Sequence, residues 1–236
     1  NHSARLRKGE CSIESGLIYM DLLTYRRFRT GDGIASAKDL PDAAKPYCLY
    51  NRRMIELQKQ FAYDIFHHIN PYTGLAYKDD PALVMTEIVN ECDLFSKPIK
   101  IEPYVTEFRT LFRRWLDENG ISFDAETCDL AGVEDPIINF KMAVHDSYYA
   151  EMYAFLREIG VKYPITGTNW TKNTALLKSN IKMDFTDSHT YFYDWNWNEF
   201  EKHCMNKSVT QADVTYLIQG AYSSVKDKPV YVSEWD

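Results

Sequence analysis

Five short apolar runs, each closing on polar or aromatic residues, alternate along this chain with segments of helical periodicity. No other feature constrains the fold as much. The runs lie at 16–25, 82–91, 163–170, 183–192 and 229–235. Between the first two, segment 51–70 places Met54, Leu57, Phe61, Ile65 and His68 near helical spacing, behind Asn51, a side chain suited to cap the first turn. Segment 103–120 reads as a helix stopped by Gly120, and 136–160 as a long helix ending on Gly160. A helical turn or two fits 173–180, and 211–228 reads as a further helix. The stretch 71–74 is a turn, and 121–136 an irregular insertion. Strands alternating with helices in this way predict a parallel sheet in an α/β fold.

An open doubly wound sheet and a closed (β/α)₈ barrel, the TIM barrel, both satisfy that order. Where the polar residues fall separates them. Every run ends on them: Thr24-Tyr25-Arg26, Asn90-Glu91, Asn169-Trp170, His189-Thr190-Tyr191 and Glu234-Trp235. In a barrel all strand ends converge on one mouth, where the active site lies. An open sheet concentrates function at a single switch point instead. The chain also has neither GxGxxG nor GxxxxGK[ST], so no nucleotide fingerprint supports the open form. The sequence therefore predicts a barrel.

A carboxylate at the end of a buried strand must find a partner, titrate abnormally or do chemistry. Two runs end this way, at Glu91 and at Glu234. Hydrolysis of a glycoside with retention needs two carboxyls about 5–5.5 Å apart, one a proton donor and one a nucleophile. Two strand ends facing each other across a barrel mouth can meet at that distance. Asn90, Trp170, His189, Tyr191 and Trp235 surround the pair in this reading, and carboxyl groups about 4.5–6 Å apart are its geometric expectation. The negative charge of Glu234 is expected to raise the Glu91 carboxyl, keeping it protonated as an acid.

Composition narrows the partners. A net charge of −7 argues against a nucleic-acid surface or an anionic membrane as partner. No stretch reaches the roughly 18 apolar residues that a membrane span requires. The five cysteines are odd in number and lack CxxC spacing, which is neither a disulfide framework nor a zinc site. Glu87 shares strand parity with Glu91, but about 13 Å deeper along a strand it suits a buried ion pair. His67-His68 read as surface or capping residues at a helix end. His189 with Asp184 and Asp187 has too few histidines for an obvious metal site. No GxSxG marks a serine nucleophile. Trp195 and Trp197 either wall the cleft or fold over the barrel.

The triplets "VNE" (89–91), "GTNW" (167–170), "DSHTYF" (187–192) and "VSEW" (232–235) follow one another in the order seen in clan A glycoside hydrolases, and the chain resembles that clan over most of its length. These are (β/α)₈ retaining enzymes that include family-five cellulases and mannanases. The resemblance implies that residues 1–236 are a partial catalytic barrel holding its third to seventh strands. It implies Glu91 as acid/base, Glu234 as nucleophile, and Asn90 as the residue that hydrogen-bonds the sugar 2-hydroxyl. It also implies Tyr191 as support for the nucleophile in a His189-x-Tyr191 pair, and Trp170 and Trp235 as sugar-stacking platforms. The substrate would be a β-linked hexose oligo- or polysaccharide, and no cofactor would be needed. One departure is Asp21-Leu22-Leu23, where relatives often carry a His; Tyr25 or Arg27 would then supply that contact. Rival readings are a barrel that binds carbohydrate without catalysis and a metal-dependent barrel hydrolase. With runs 16–25 and 229–235 as unpaired edges, the chain is expected to be less stable than a complete barrel. Thermal melts and gel filtration of the two side by side would check this, and equal stability would overturn the strand count.

Overall fold

The computed structural model describes residues 18–21, 30–41, 44–170, 174–190 and 224–235. Within them lie five strands: β1 (Ile18–Asp21), β2 (Leu83–Glu87), β3 (Ile165–Thr166), β4 (Thr186–Thr190) and β5 (Val230–Trp235). Helix α1 (Arg52–His67) joins β1 to β2. Helices α2 (Tyr104–Asn119) and α3 (Asp135–Glu158) stand between β2 and β3, and α4 (Thr174–Asn180) between β3 and β4. Each apolar run thus contains a strand, shorter than the run itself. Every described ladder is parallel.

The helices begin and end for local reasons. The Asn51 side chain accepts the Met54 N–H at 3.1 Å and opens α1. Gly120 closes α2 at φ +64°, a backbone state that costs glycine little. The 211–228 expectation fails over its described part. Residues 224–228 form a turn in which Lys228 N–H donates to Val225 C=O, with Asp227 at φ +65° just ahead of Pro229. Left-handed backbone at Asp227 cannot continue a right-handed helix; residues 211–223 lie outside the described set. His67 and His68 do sit at a helix end: His67 Nδ1 meets Tyr63 C=O at 2.9 Å, and the ring stacks on Tyr63.

The described strands form two sheets, β1-β2-β3 and β4-β5, rather than consecutive members of one wall. The break falls between β3 and β4, and Asp184 is the reason. Asp184 N–H donates to Ile165 C=O at 3.0 Å, but Ile165 N–H donates to the Asp184 carboxylate at 2.8 Å instead of to a main-chain carbonyl. Thr166 Oγ1 then donates to Phe185 C=O at 2.9 Å. Side chains replace backbone partners, so contact continues where the regular ladder stops. Arg157 of α3 holds the same carboxylate at 2.5 Å, and Tyr153 donates to it at 2.9 Å. The architecture is parallel α/β in two sheets joined by this seam; the described residues do not display a closed barrel.

The core lies between the three-stranded sheet and the helices. Met54, Ile55, Ala62 and Phe66 of α1 are buried, as are Tyr104, Phe108, Phe112 and Leu116 of α2, spaced four apart on one face. Phe140 of α3 meets Phe108 and Phe112 at ring centroids of 5.0 and 4.9 Å. Two polar groups are buried in α3 beside these rings. Lys141 lies with its Nζ 5.7 Å from the Phe95 ring centroid. The fully buried His145 accepts the Leu94 N–H on Nε2 at 3.1 Å.

That acceptor role requires Nε2 to be unprotonated, and burial pushes the imidazole down to about 4 despite the opposing charge of Asp93. An unfolded His protonates near 6.5, so the unfolded chain binds the extra proton first as pH falls. The His145 contribution is complete above that value and is lost between about 6.5 and about 4, on the order of 3 kcal/mol. Melts recorded from pH 7.5 to 4.5 should show that decline, and His145→Gln, which keeps an acceptor, should flatten it. An unchanged slope in the variant would assign the acid sensitivity elsewhere.

Candidate active site

Parallel pairing sends the carboxyl ends of the strands to one edge, where Glu91, His189 and Glu234 meet. Glu91 lies four residues beyond the end of β2, in a loop still tied to β3: Ile88 and Val89 N–H donate to Thr166 and Gly167 C=O, each at 3.0 Å. The loop then turns sharply at Glu91, whose φ is +44°. A side chain as long as glutamate rarely adopts that conformation, so the surroundings must impose it.

Asn169 does so. Its Oδ1 accepts the Glu91 N–H at 3.0 Å, while its Nδ2 donates to Asn90 Oδ1 at 2.6 Å and to Glu87 Oε2 at 2.9 Å. One buried amide just beyond β3 thus binds three residues of the second apolar run, Glu87, Asn90 and Glu91. Glu87, fully buried, is a member of this network. Asn90 spends its carbonyl oxygen on Asn169, which leaves its amide N–H groups as what it can offer a ligand. On the far side of the turn, Asp93 Oδ1 accepts the N–H groups of Phe95 and Ser96 at 2.5 and 2.6 Å. Gly167 is needed for the same approach. A Cβ there would strike Asn180 Oδ1 and come within 3.0 Å of the Tyr149 ring, while that Oδ1 accepts the Thr168 N–H at 3.0 Å.

Glu234 arrives from the other sheet. In the β4-β5 ladder Ser188 pairs with Val232, the register then slips, and His189 pairs with Glu234. The bulge leaves Ser233 as the extra residue, and its N–H donates to Asp187 Oδ1 at 3.0 Å. The buried Asp187 carboxylate, which also accepts the Ser188 N–H at 2.7 Å, therefore stabilises the slip that sets Glu234 beside His189.

His189 joins the two halves. Its Nδ1 lies 2.9 Å from Glu91 Oε1 and 3.2 Å from Glu234 Oε2, with the imidazole almost wholly buried and both carboxylates about a quarter exposed. Two carboxylate acceptors assign the hydrogen to Nδ1. One carboxylate oxygen of each glutamate and a ring nitrogen of His189 all fall within 4.8 Å of one another. The two carboxylates are thus brought to one point. The electrostatic expectation fails: the Glu91 carboxyl is held below its ordinary value, not above it. Burial alone would raise it, but the His189 hydrogen bond and the positive charges of His189, Lys45 and Lys97 outweigh burial. The same three atoms could serve as ligands to a metal ion.

Other expected residues are placed unevenly. Trp170 is partly buried next to Asn169. Trp235 ends β5 opposite Thr190, and its side chain lies outside the description; so do Tyr191, Tyr25, Arg27, Trp195 and Trp197 altogether. Asp184 faces the seam and Asp187 the bulge, so neither joins His189 as a ligand. Asn169 and Asp187 are the positioning residues that sequence reasoning missed. Their signal was present, since both lie inside the conspicuous segments 167–170 and 187–192, but their roles depend on which neighbouring strand each one touches.

No protein-family model matches the chain, and no curated protein matches it. Among solved structures it is similar to the endo-beta-1,4-mannanase from Thermotoga petrophila, at 13% identity and a TM-score of 0.45, over 92% of this chain and 42% of that one. It is also similar to the endo-1,4-beta-mannanase from Rhizomucor miehei, at 16% identity and a TM-score of 0.41, over 78% of this chain and 46% of that one. The chain thus spans less than half the length of either structure. Likeness this distant leaves the site to stand on its own geometry.

Replacing Asn169 with Ala removes three hydrogen bonds and strips a partner from the buried Glu87 and Asn90. We expect a loss on the order of 3 kcal/mol, read from the denaturant midpoint. A loss under about 1 kcal/mol would mean that the Glu91 turn is held by other contacts.

Proposed function

We propose that the chain carries the catalytic centre of a retaining β-glycoside hydrolase acting on β-linked hexose oligo- or polysaccharides, on a (β/α)₈ framework. The observation that supports it is the meeting of Glu91, from the loop after β2, and Glu234, from β5, with one oxygen of each carboxylate within 4.8 Å of the other. Inversion needs room for a water between the carboxyls, roughly 6.5–9.5 Å, whereas retention needs them close.

In this reading Glu234 attacks the anomeric carbon while Glu91 protonates the departing oxygen. A glycosyl ester on Glu234 results. Water then attacks the same carbon, giving its proton to Glu91 and releasing the sugar with its original configuration. Asn90, with its carbonyl oriented by Asn169, donates its amide hydrogen to the sugar 2-hydroxyl. His189 orients Glu91 through its Nδ1 hydrogen bond, and Glu91 takes from solvent the proton that it donates, regaining it from the attacking water. The Nδ1 atom lies 2.9 Å from Glu91 Oε1 and holds that carboxylate in position for the leaving oxygen. On the resemblance, Trp170 and Trp235 would serve as sugar-stacking platforms and Tyr191 as support for the nucleophile, with β-mannan, β-glucan and β-galactoside as candidate substrates.

The test uses aryl β-glycosides and the matching 2-fluoro sugars. Glu91→Gln should lower turnover by about 10²–10⁴-fold on substrates with poor leaving groups, with a much smaller loss on activated ones. A 2-fluoro glycoside should leave one sugar on Glu234, visible as a mass increase in the peptide that bears it. A label on any other carboxylate would refute the assignment.

A second reading is favoured by one observation, the convergence of Glu91, His189 and Glu234 as possible metal ligands. A metal-dependent hydrolase would lose activity on exhaustive chelation and regain it with a divalent ion. The glycosidase is expected to keep full turnover in chelator.

A further inference from the structure

Cys92 follows Glu91 directly, and its sulfur lies 3.9 Å from that of Cys48, 44 positions earlier in the chain. Both residues are fully buried. Cys48 belongs to a short 3₁₀ turn, Tyr47–Leu49, and its carbonyl is fixed by Gln58 Nε2 of α1 at 2.8 Å. A disulfide places its sulfurs about 2.05 Å apart, so closure requires an approach of roughly 2 Å, within the reach of side-chain rotation and small backbone adjustment. Cys128 is engaged elsewhere, with its sulfur near Arg109 and the Ala125 carbonyl. Nothing in the hydrolytic chemistry uses either thiol of the pair.

We infer that Cys48 and Cys92 form a redox site, closed to an intramolecular disulfide by a low-molecular-weight disulfide such as oxidised glutathione. The thiolate of one cysteine attacks a glutathione sulfur, forming a mixed disulfide and releasing one glutathione thiolate. The second cysteine thiolate attacks the protein-side sulfur of that mixed disulfide. The Cys48–Cys92 bond forms, and the second glutathione thiolate leaves. Two protein thiols are oxidised, one glutathione disulfide is reduced to two thiols, and the two cysteine protons end on the glutathione thiolates.

Both thiols are fully buried, so disulfide reagents reach the folded pair slowly. The bond therefore forms while the chain folds, and the finished core shields it from reductants. Its effect is local: it ties the turn bearing Glu91 to the turn ahead of α1. The bond itself does not depend on what Glu91 does.

The test refolds the reduced, denatured chain in a glutathione redox buffer. Remaining thiols are then alkylated under denaturing conditions, and the digest is analysed by mass spectrometry. The peptides bearing Cys48 and Cys92 should be recovered linked, about 2 Da lighter than the sum of the free peptides because two hydrogens are lost, with Cys128 alkylated. The oxidised chain should melt roughly 5–10 °C above the reduced one, and Cys48→Ser should abolish that difference while Cys128→Ser keeps it. Recovery of Cys48 and Cys92 as alkylated thiols, or linked to other cysteines, would overturn the inference. The linkage is read from the unsubstituted chain, so it decides the matter even if the serine variants fold poorly.

Discussion

Two carboxylates within 4.8 Å repel each other unless a proton or a positive charge lies between them, and here that place is taken by Nδ1 of His189. The geometry of the site follows from this contact. Glu91 comes from the three-stranded sheet and Glu234 from the two-stranded one, so the imidazole spans the division between them. Because the ring is almost wholly buried, its nitrogen has few alternatives to these two oxygens. A single nitrogen sets the spacing of the carboxylates and lowers the proton affinity of one of them.

Support for that contact comes from side chains acting as substitutes for main chain. Asp184 takes a ladder hydrogen bond across the seam, Asp187 takes the orphan N–H of the β5 bulge, and Asn169 takes the N–H of Glu91. Each lies at a place where regular pairing would have put the functional residue elsewhere. An uninterrupted ladder would pair His189 with Ser233 and point Glu234 to the opposite face. Irregularity here is the means by which strands deliver side chains to one point.

The parallel α/β order was legible because it is written in period and punctuation: the four-residue apolar spacing of α2, the caps at Asn51 and Gly120, and the polar ends of the five runs. Glu91, His189 and Glu234 were legible as strand-end residues for the same reason. The split into two sheets was not. It turns on one aspartate accepting a main-chain hydrogen from a residue 19 positions away, and no local pattern announces such a bond. The depressed Glu91 carboxyl was missed on similar grounds. Sequence shows a second glutamate nearby, whereas the outcome depends on which side of it His189, Lys45 and Lys97 lie.

The backbone at Glu91 has a further meaning. Its φ of +44° suits glycine or asparagine, and glutamate holds it at a cost of about 1–2 kcal/mol. A chain selected for durability alone would discard the carboxylate at this position and gain from the exchange. Random variation screened for heat resistance should therefore drift toward Gly or Asn at 91. Retention of Glu there against that drift would mark a demand on the side chain other than stability.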